Sequence, residues 1–177
     1  MRFTYLFVFL LFVPTMLQAQ DVGGKKKKKG NYYVLVDSGF LTFKPEQGAI
    51  LKGIYEHDSL KKIECWYGFN FGDLRREFHY WNGQLIMIIE SQRLYNGGTV
   101  GRVDADTIQP NYQGRYLFEN SVIKSIKQDG SYSFLDTPAD KNSMQETFLQ
   151  MSAAYQAALD KERVNKKNRV KIKKSKS

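Results

Sequence analysis

The stretch from Phe78 to Glu90 reads FHYWNGQLIMIIE and predicts the hairpin around which the fold is organised. Asn82-Gly83 supplies two residues that accept positive φ, as a type I′ turn requires, and strand-forming residues flank the turn on both sides. Before the turn, Phe78 and Tyr80 share one face of the strand. After it, Leu85 to Ile89 is apolar at every position, which predicts a strand covered on both faces and the most buried strand of the sheet.

Further short strands are predicted on both sides of this hairpin, each separated from the next by turn residues. A second hairpin is expected at Asn120-Ser121, and it aligns with the first as a degenerate repeat. The stretch from Gly68 to Gly72 is predicted to be a mobile connecting loop. Strands so closely spaced, without helices between them, predict an antiparallel meander. The predicted strands are Tyr32–Val36, Phe40–Phe43, Ala49–Tyr55, Leu60–Tyr67, Asp73–Trp81, Leu85–Glu90, Thr99–Ile108, Arg115–Glu119, Val122–Lys127 and Tyr132–Leu135.

A helix is predicted after the strands. Ser143-x-x-Glu146 has the spacing of a capping box, in which the two side chains satisfy free amides of the first turn. An apolar stripe follows at helical spacing, so this helix is expected to dock on one face of the sheet. The predicted fold class is therefore α+β, an antiparallel β-meander sheet with one C-terminal amphipathic helix packed on a face. The stripe consists of Met144, Phe148, Met151, Tyr155, Ala158 and Leu159.

The two ends of the chain are predicted to lie outside this domain. Residues 1–19 have the pattern of a signal peptide, with a short apolar run from Tyr5 to Val13 and cleavage after Ala19. The run is far short of the roughly 20 residues that a membrane span needs, so no transmembrane span is expected in the mature form. Cys65 is too far from the cleavage site for a lipoprotein. The prediction is a secreted or periplasmic protein with a disordered Lys-rich segment at 20–30, a single domain at 31–160 and a disordered basic tail at 161–177.

The charge of the chain is concentrated at its ends. Residues 30–160 hold 12 basic and 16 acidic side chains, a net charge of −4, although the whole chain carries +9. The basic ends are therefore candidates for binding an anionic lipid or polysaccharide surface. Nucleic acid is a less favoured partner, because the ends lack interleaved aromatic residues for base stacking. The candidate residues are Lys25, Lys26, Lys27, Lys28, Lys29, Lys166, Lys167, Arg169, Lys171, Lys173 and Lys174.

An aromatic cluster is the candidate site for a ligand or partner within the domain. Its members are Trp66, Tyr67, Phe69, Phe71 and Trp81. One interpretation is that these rings close the open end of the space between sheet and helix. The other is that they form a partly exposed platform for a protein, peptide or glycan, because aromatic residues dominate binding hot spots.

The sequence contains none of the common catalytic or nucleotide-binding motifs. Only His57 and His79 could act as imidazole bases, and Cys65, the single cysteine, is predicted to be a small core residue. Asp104 and Asp106 provide too few oxygens for calcium, so no metal and no cofactor are expected. The alternative is a small secreted hydrolase or lyase that uses His79, His57 or Cys65, including a Cys65–His79 pair, with carboxylates of the sheet.

The pattern aromatic-x-Asn-Gly-x-Leu-Ile from Tyr80 to Ile86 resembles the hairpin unit of MORN-like repeat proteins and related secreted β-meander proteins. The resemblance covers about 25 residues, with one good copy and one that lacks the glycine. It implies a scaffold or interaction surface and carries over no catalytic residue. Together with the charge pattern, it favours an exported, non-enzymatic binding or structural module.

Overall fold

The computed structural model describes residues 30–37, 40–41, 45–95, 108–133 and 140–164, together with the backbone of residues 169–171. In this part of the chain, eight strands form one antiparallel sheet and a single helix packs against it, so the α+β prediction is confirmed. The sheet order is β7-β6-β5-β4-β3-β2-β1-β8, in which the first seven strands form a meander. The strands are Tyr32–Asp37 (β1), Ala49–Glu56 (β2), Ser59–Phe69 (β3), Gly72–Trp81 (β4), Gln84–Leu94 (β5), Tyr112–Glu119 (β6), Val122–Gly130 (β7) and Arg169–Lys171 (β8), and the helix is Lys141–Val164 (α1).

Helix α1 crosses the sheet from β7 to β2. Near its start, the Gln145 side chain accepts a hydrogen bond from the Ile123 amide at 2.8 Å. Near its end, the Arg163 guanidinium lies 5.2 Å from the centre of the Tyr55 ring. The predicted apolar stripe is confirmed, because Phe148, Tyr155 and Leu159 are buried against the sheet.

The helix begins at a different cap from the predicted one. Asp140 is the N-cap residue: its carboxylate accepts hydrogen bonds from the amides of Asn142 at 2.7 Å and Ser143 at 2.9 Å. The Ser143 hydroxyl donates to the same carboxylate instead of capping an amide. The capping box at Ser143-x-x-Glu146 was therefore wrong by about one turn, because Asp140 satisfies the same free amides from a position three residues earlier.

Three hairpins of the meander share one construction. The turns at His57-Asp58, Asn82-Gly83 and Asn120-Ser121 have positive φ at both central residues, and a register shift follows at the same place in each hairpin. The second hairpin and its repeat relation to the first are therefore confirmed, and a third copy lies in β2–β3. In each copy a buried aromatic residue stands opposite an aliphatic one across the shift; the pairs are Tyr55 with Leu60, Tyr80 with Leu85, and Phe118 with Ile123.

Strand β5 is covered on one face only, contrary to the prediction from its apolar run. Ile88 is completely buried beneath the helix, whereas Ile86 is 39% exposed, and Met87 and Ile89 are half-buried on the opposite side. The run was misread because apolar residues occupy the outer face of this sheet as well as its core. The register shift beside Tyr80 turns Leu85 inward and leaves Ile86 as the extra residue of a bulge.

The turn between β3 and β4 is tighter than predicted. Strand β3 runs to Phe69 and β4 begins at Gly72, so only two residues connect them. Gly68 and Gly72 are buried, and a Cβ at Gly68 would collide with the Trp66 indole. The mobile loop predicted here is thus a packed turn, because these glycines provide close approach instead of freedom of movement.

The C-terminal boundary of the ordered chain also differs from the prediction. The helix continues to Val164, and Arg169–Lys171 pair with β1 as an eighth strand, so these parts of the expected disordered tail are structured. Residues 132–133 were predicted to be a strand but lie outside the sheet. The remaining expectations at 1–29, 42–44, 96–107, 134–139 and 172–177 fall outside the described residues, including most of the predicted strand Thr99–Ile108.

Candidate functional site: the open face of the sheet

The sheet has one face beneath helix α1 and one face that no element of the described chain covers. Because side chains alternate along each strand, the residues between the buried ones point to this second side. We call it the open face. Its principal residues are Leu35, Ile50, Lys52, Lys62, Glu64, Trp66, Arg75, Glu77, His79, Met87, Ile89 and Leu117.

Apolar side chains are spread across the open face from one side to the other. Leu35 on β1 and Leu117 on β6 are each 42% exposed, and Ile50 on β2 is 46% exposed. Trp66, Met87 and Ile89 lie between them and are half-buried. An antiparallel sheet with a solvated face normally presents polar residues there. This face is therefore more apolar than solvent exposure alone accounts for.

Charged side chains on the open face form a ladder across three strands. The Lys52 ammonium lies 2.9 Å from one Glu64 oxygen, and the Lys62 ammonium lies 2.5 Å from the other. Lys62 also approaches Glu77 at 3.5 Å, and the His79 ring nitrogen lies 3.1 Å from the same Glu77 oxygen. Burial opposes the charged form of Glu64, but hydrogen bonds from both lysines outweigh it, so the pKa of this carboxyl is lowered. The ladder is thus largely neutralised within itself.

A shallow groove of about 430 Å³ runs along the middle of the open face. Ile50 and Trp66 form its apolar part, and Lys52, Arg75 and Glu77 line it with charge. The groove contains both an aromatic ring and fixed polar groups, a combination typical of recognition surfaces.

The predicted aromatic cluster does not form a single platform. Trp66 lies on the open face, but Tyr67 points the other way, is buried, and its hydroxyl is hydrogen-bonded to that of Tyr155. Phe69 packs against the core, and Phe71 stacks on it with 5.4 Å between the ring centres. Tyr67 is therefore a core residue, and its inclusion in an exposed site was wrong.

Trp81 is separated from this group along the strand. It ends β4 beside the Asn82-Gly83 turn, whereas Trp66 is paired with Arg75, six residues earlier on β4. Trp81 is 63% exposed, and the Lys61 ammonium lies 5.6 Å from the centre of its ring. Its indole therefore belongs to the end of the sheet that carries the hairpin turns.

The three residues proposed for catalysis lie in three different places. Cys65 points toward the helix and His79 toward the open face, so the sheet itself separates them and the Cys65–His79 pair is not formed. Burial raises the pKa of the Cys65 thiol to about 11, which keeps it protonated at neutral pH. His57 is exposed in the β2–β3 turn. The core position predicted for Cys65 is confirmed.

One buried charged pair was not anticipated from the sequence. Arg76 and Glu90 stand opposite each other on β4 and β5, point toward the helix, and form an ion pair with side chains only 11% and 2% exposed. The Tyr132 hydroxyl and the Met151 sulfur complete the surroundings of Arg76 at 3.5 and 3.6 Å. Burial opposes the charge of Arg76, but Glu90 outweighs it and raises the pKa of the guanidinium.

The alternation of β4 and β5 contained the signal for this pair. Arg76 has the parity of Phe78, and Glu90 has the parity of Ile88. Both therefore occupy core positions of their strands. Their charge hides this in a sequence, because Arg and Glu are almost never buried unless paired.

Of the basic residues proposed to bind anionic surfaces, only Arg169 and Lys171 belong to a described element, the strand β8. Lys25 to Lys29 and the other basic residues of the tail lie outside the described residues, as do Asp104 and Asp106. Within the described ranges, no group of three His, Cys, Asp or Glu side chains is arranged to hold a metal ion. The one helix of those ranges is neither apolar enough nor suited in sequence to cross a membrane.

Comparison with known proteins gives no relative from which a role could be transferred. No family model, no curated protein and no solved structure matches the chain.

Proposed function

We propose that this chain is an exported, non-enzymatic binding module with two working parts. The open face of the sheet contacts a partner protein, and the basic ends hold the domain at an anionic surface of the cell envelope. Export is inferred from the signal-peptide pattern of residues 1–19.

The observation that carries this proposal is the apolar character of the open face. Leu35, Ile50 and Leu117 are exposed on three different strands, with Trp66 between them. Large exposed apolar areas with a polar surround mark interaction surfaces in soluble proteins. Because helix α1 lies on the other side, no element of the described chain competes with a partner for this face.

The dimensions of the open face suit a protein partner. With strands about 4.8 Å apart, β1 to β6 measure about 25 Å across, and eight residues of strand measure about 27 Å. The resulting area of roughly 700 Å² is close to the roughly 800 Å² that each partner contributes to a standard protein–protein interface. A small molecule would occupy only the groove beside Trp66.

The charge ladder indicates the kind of partner surface that fits. Because Lys52, Lys62, Glu64 and Glu77 already pair with one another, a partner does not have to supply compensating charge. We therefore expect a flat and largely uncharged partner surface, and binding that depends weakly on salt. Attachment through the basic ends should instead weaken steeply as salt rises, since the Debye length falls from about 10 Å at 0.1 M to about 3 Å at 1 M.

Calorimetry with the purified partner tests the proposal. Ile50→Glu and Leu117→Glu place a charge on the open face and should each weaken binding by about tenfold or more, since each buries a charge without a partner. Val164→Glu is the matched control, because Val164 is exposed at the end of the helix. A negative heat-capacity change that survives 1 M salt is expected for the unmodified protein. Equal losses for all three variants would place the interface elsewhere.

A further inference from the structure

Strand β8 brings the two ends of the chain to one corner of the sheet. It pairs antiparallel with β1, so that Tyr32 stands opposite Lys171 and Val34 opposite Arg169. Directly opposed residues of an antiparallel pair have Cα atoms about 4.5–5.5 Å apart. The chain therefore enters the sheet at Tyr32 beside the point where it leaves after Lys171.

Both of these connections are rich in lysine. Lys25 to Lys29 end three residues before Tyr32, and a chain spans at most about 3.5 Å per residue, so Lys29 is tied within about 10 Å of this corner. On the other side, Lys171 itself is followed by Lys173, Lys174 and Lys176. Nine lysines from opposite ends of the sequence are thus connected to one corner.

The acidic groups nearest this corner already have partners within the domain. Glu56 lies 3.9 Å from the Lys61 ammonium, and Asp160 lies 3.3 Å from the Arg163 guanidinium. Asp58 accepts a hydrogen bond from the Tyr32 hydroxyl at 2.6 Å. The positive charge of the nine lysines is therefore left available to an external anion.

An exposed tryptophan lies at the same end of the sheet. The turns at His57-Asp58 and Asn82-Gly83 form this end together with the start of β1, because the strands are antiparallel and in register. Trp81 flanks the second of these turns and is 63% exposed. An indole has an apolar body and a polar N–H, and tryptophan is enriched at the headgroup level of membranes for that reason.

We propose that this turn-bearing end of the sheet binds the anionic headgroups of a phospholipid surface, with the lysines of both chain ends acting as one cationic cluster and Trp81 lying among the headgroups. The inference rests on the attachment to anionic surfaces proposed above and specifies its geometry. Each lysine close to an anionic membrane strengthens binding about fivefold. Joining two lysine runs at one corner makes engagement of the second run intramolecular once the first has bound.

A planar lipid surface fits these observations better than a linear polyanion does. A plane contacts the lysine cluster and Trp81 together, although three strand spacings separate β1 from β4. A single polymer strand satisfies either lysine run alone and makes no use of the indole. Attachment at this end also leaves the open face accessible to a partner.

The test uses the form from Gln20 to Ser177, which retains every residue of the sheet and the helix. The chain has two tryptophans, so Trp66→Phe leaves Trp81 as the sole indole fluorophore. Vesicles that contain phosphatidylglycerol should co-sediment with this form and shift the Trp81 emission to shorter wavelength, and 1 M salt should abolish both effects. Vesicles of phosphatidylcholine alone should do neither.

Charge-preserving variants examine the joint nature of the cluster. Val170→Pro and Val170→Gly weaken the pairing of β8 with β1 without altering any charge, and each should reduce vesicle binding by about tenfold. Ser175→Pro, beyond the strand, is the matched control and should bind as the parent does. Replacing either lysine run by glutamine should weaken binding by more than about tenfold.

The outcomes separate this inference from the proposed attachment. Vesicle binding that is unchanged by both Val170 variants, or that occurs without a shift in Trp81 emission, would overturn the joint site while leaving attachment by the basic ends in place. Failure to bind any anionic vesicle or soluble anionic polysaccharide would overturn the attachment itself. Binding to the polysaccharide but not to vesicles would assign the site to a polymer and overturn the lipid proposal.

Discussion

The Tyr80 hydroxyl lies 2.8 Å from the Ser152 hydroxyl, and this buried hydrogen bond joins the central hairpin to the middle of helix α1. The contact fixes which face of the hairpin turns inward, because Phe78 and Ile88 then lie beneath the helix on either side of it. The opposite side of the same strands is thereby left to solvent or to a partner. The fold and the proposed function thus depend on the same division between the two faces.

Two neighbouring isoleucines of β5 should respond differently to truncation. Ile88 is completely buried, so Ile88→Ala should lower the free energy of unfolding by about 2–5 kcal/mol. Ile86 is 39% exposed, and Ile86→Ala should cost less than about 1 kcal/mol. Urea titrations of the two variants check this, and equal losses would contradict the assignment of the faces.

The buried ion pair should be costly to break and inexpensive to replace. Glu90→Gln leaves the Arg76 guanidinium buried beside a neutral partner and should destabilise the fold by about 3–5 kcal/mol. The double variant Arg76→Met/Glu90→Leu removes both charges and should recover most of that loss. Denaturant titrations of the single and double variants form the check, and a double variant less stable than Glu90→Gln would show that the pair itself stabilises the fold.

The sequence was sufficient for the meander because turn residues and alternation are local signals. Asn82-Gly83 marks its hairpin by turn chemistry alone, and the stripe from Phe148 to Leu159 marks the helix by its period. The third hairpin was missed as a repeat because His57-Asp58 replaces Asn-Gly, although both residues adopt the same positive φ. The equivalent pair Tyr55 and Leu60 could have revealed it.

The remaining features depend on contacts between distant parts of the chain. Strand β8 consists of three residues within a basic segment and forms only because β1 offers an unpaired edge. Tyr67 was assigned to a surface because neighbouring rings in sequence were taken to be neighbours in space, whereas alternation sends it to the helix. The apolar open face misled in the opposite direction, since outward Ile89 resembles a core residue in the sequence.

The N-cap of the helix should give stability a defined dependence on pH. Hydrogen bonds from Ser143 and Asn142 lower the pKa of the Asp140 carboxyl below its usual value. Stability from the charged cap is therefore present above the unfolded pKa of about 3.9 and is lost as the pH falls through the folded value. Asp140→Asn keeps an acceptor without a charge, so its melting temperature should lie furthest below that of the parent near pH 7 and converge with it toward pH 2. A difference that persists unchanged at pH 2 would rule out the charged cap as its cause.

The thiol of Cys65 should be protected from reagents in the folded protein. It is buried among Tyr67 and Tyr155, and its pKa is raised to about 11 by that burial. At pH 8, a disulfide reagent such as Ellman's should react with it only after denaturant unfolds the chain. Rapid and complete reaction under native conditions would place Cys65 outside the core and revive a catalytic interpretation of this residue.

The most direct test of the central claim, that the open face is the partner-binding surface, is photo-crosslinking in the living source cells. A photoreactive phenylalanine analogue is placed at Ile50, at Leu117 or at the control position Val164, all of which are exposed in the isolated chain. Ile50 and Leu117 should give adducts with the same partner protein, and Val164 should not. Adducts at Val164 alone, or different proteins at Ile50 and Leu117, would contradict the claim.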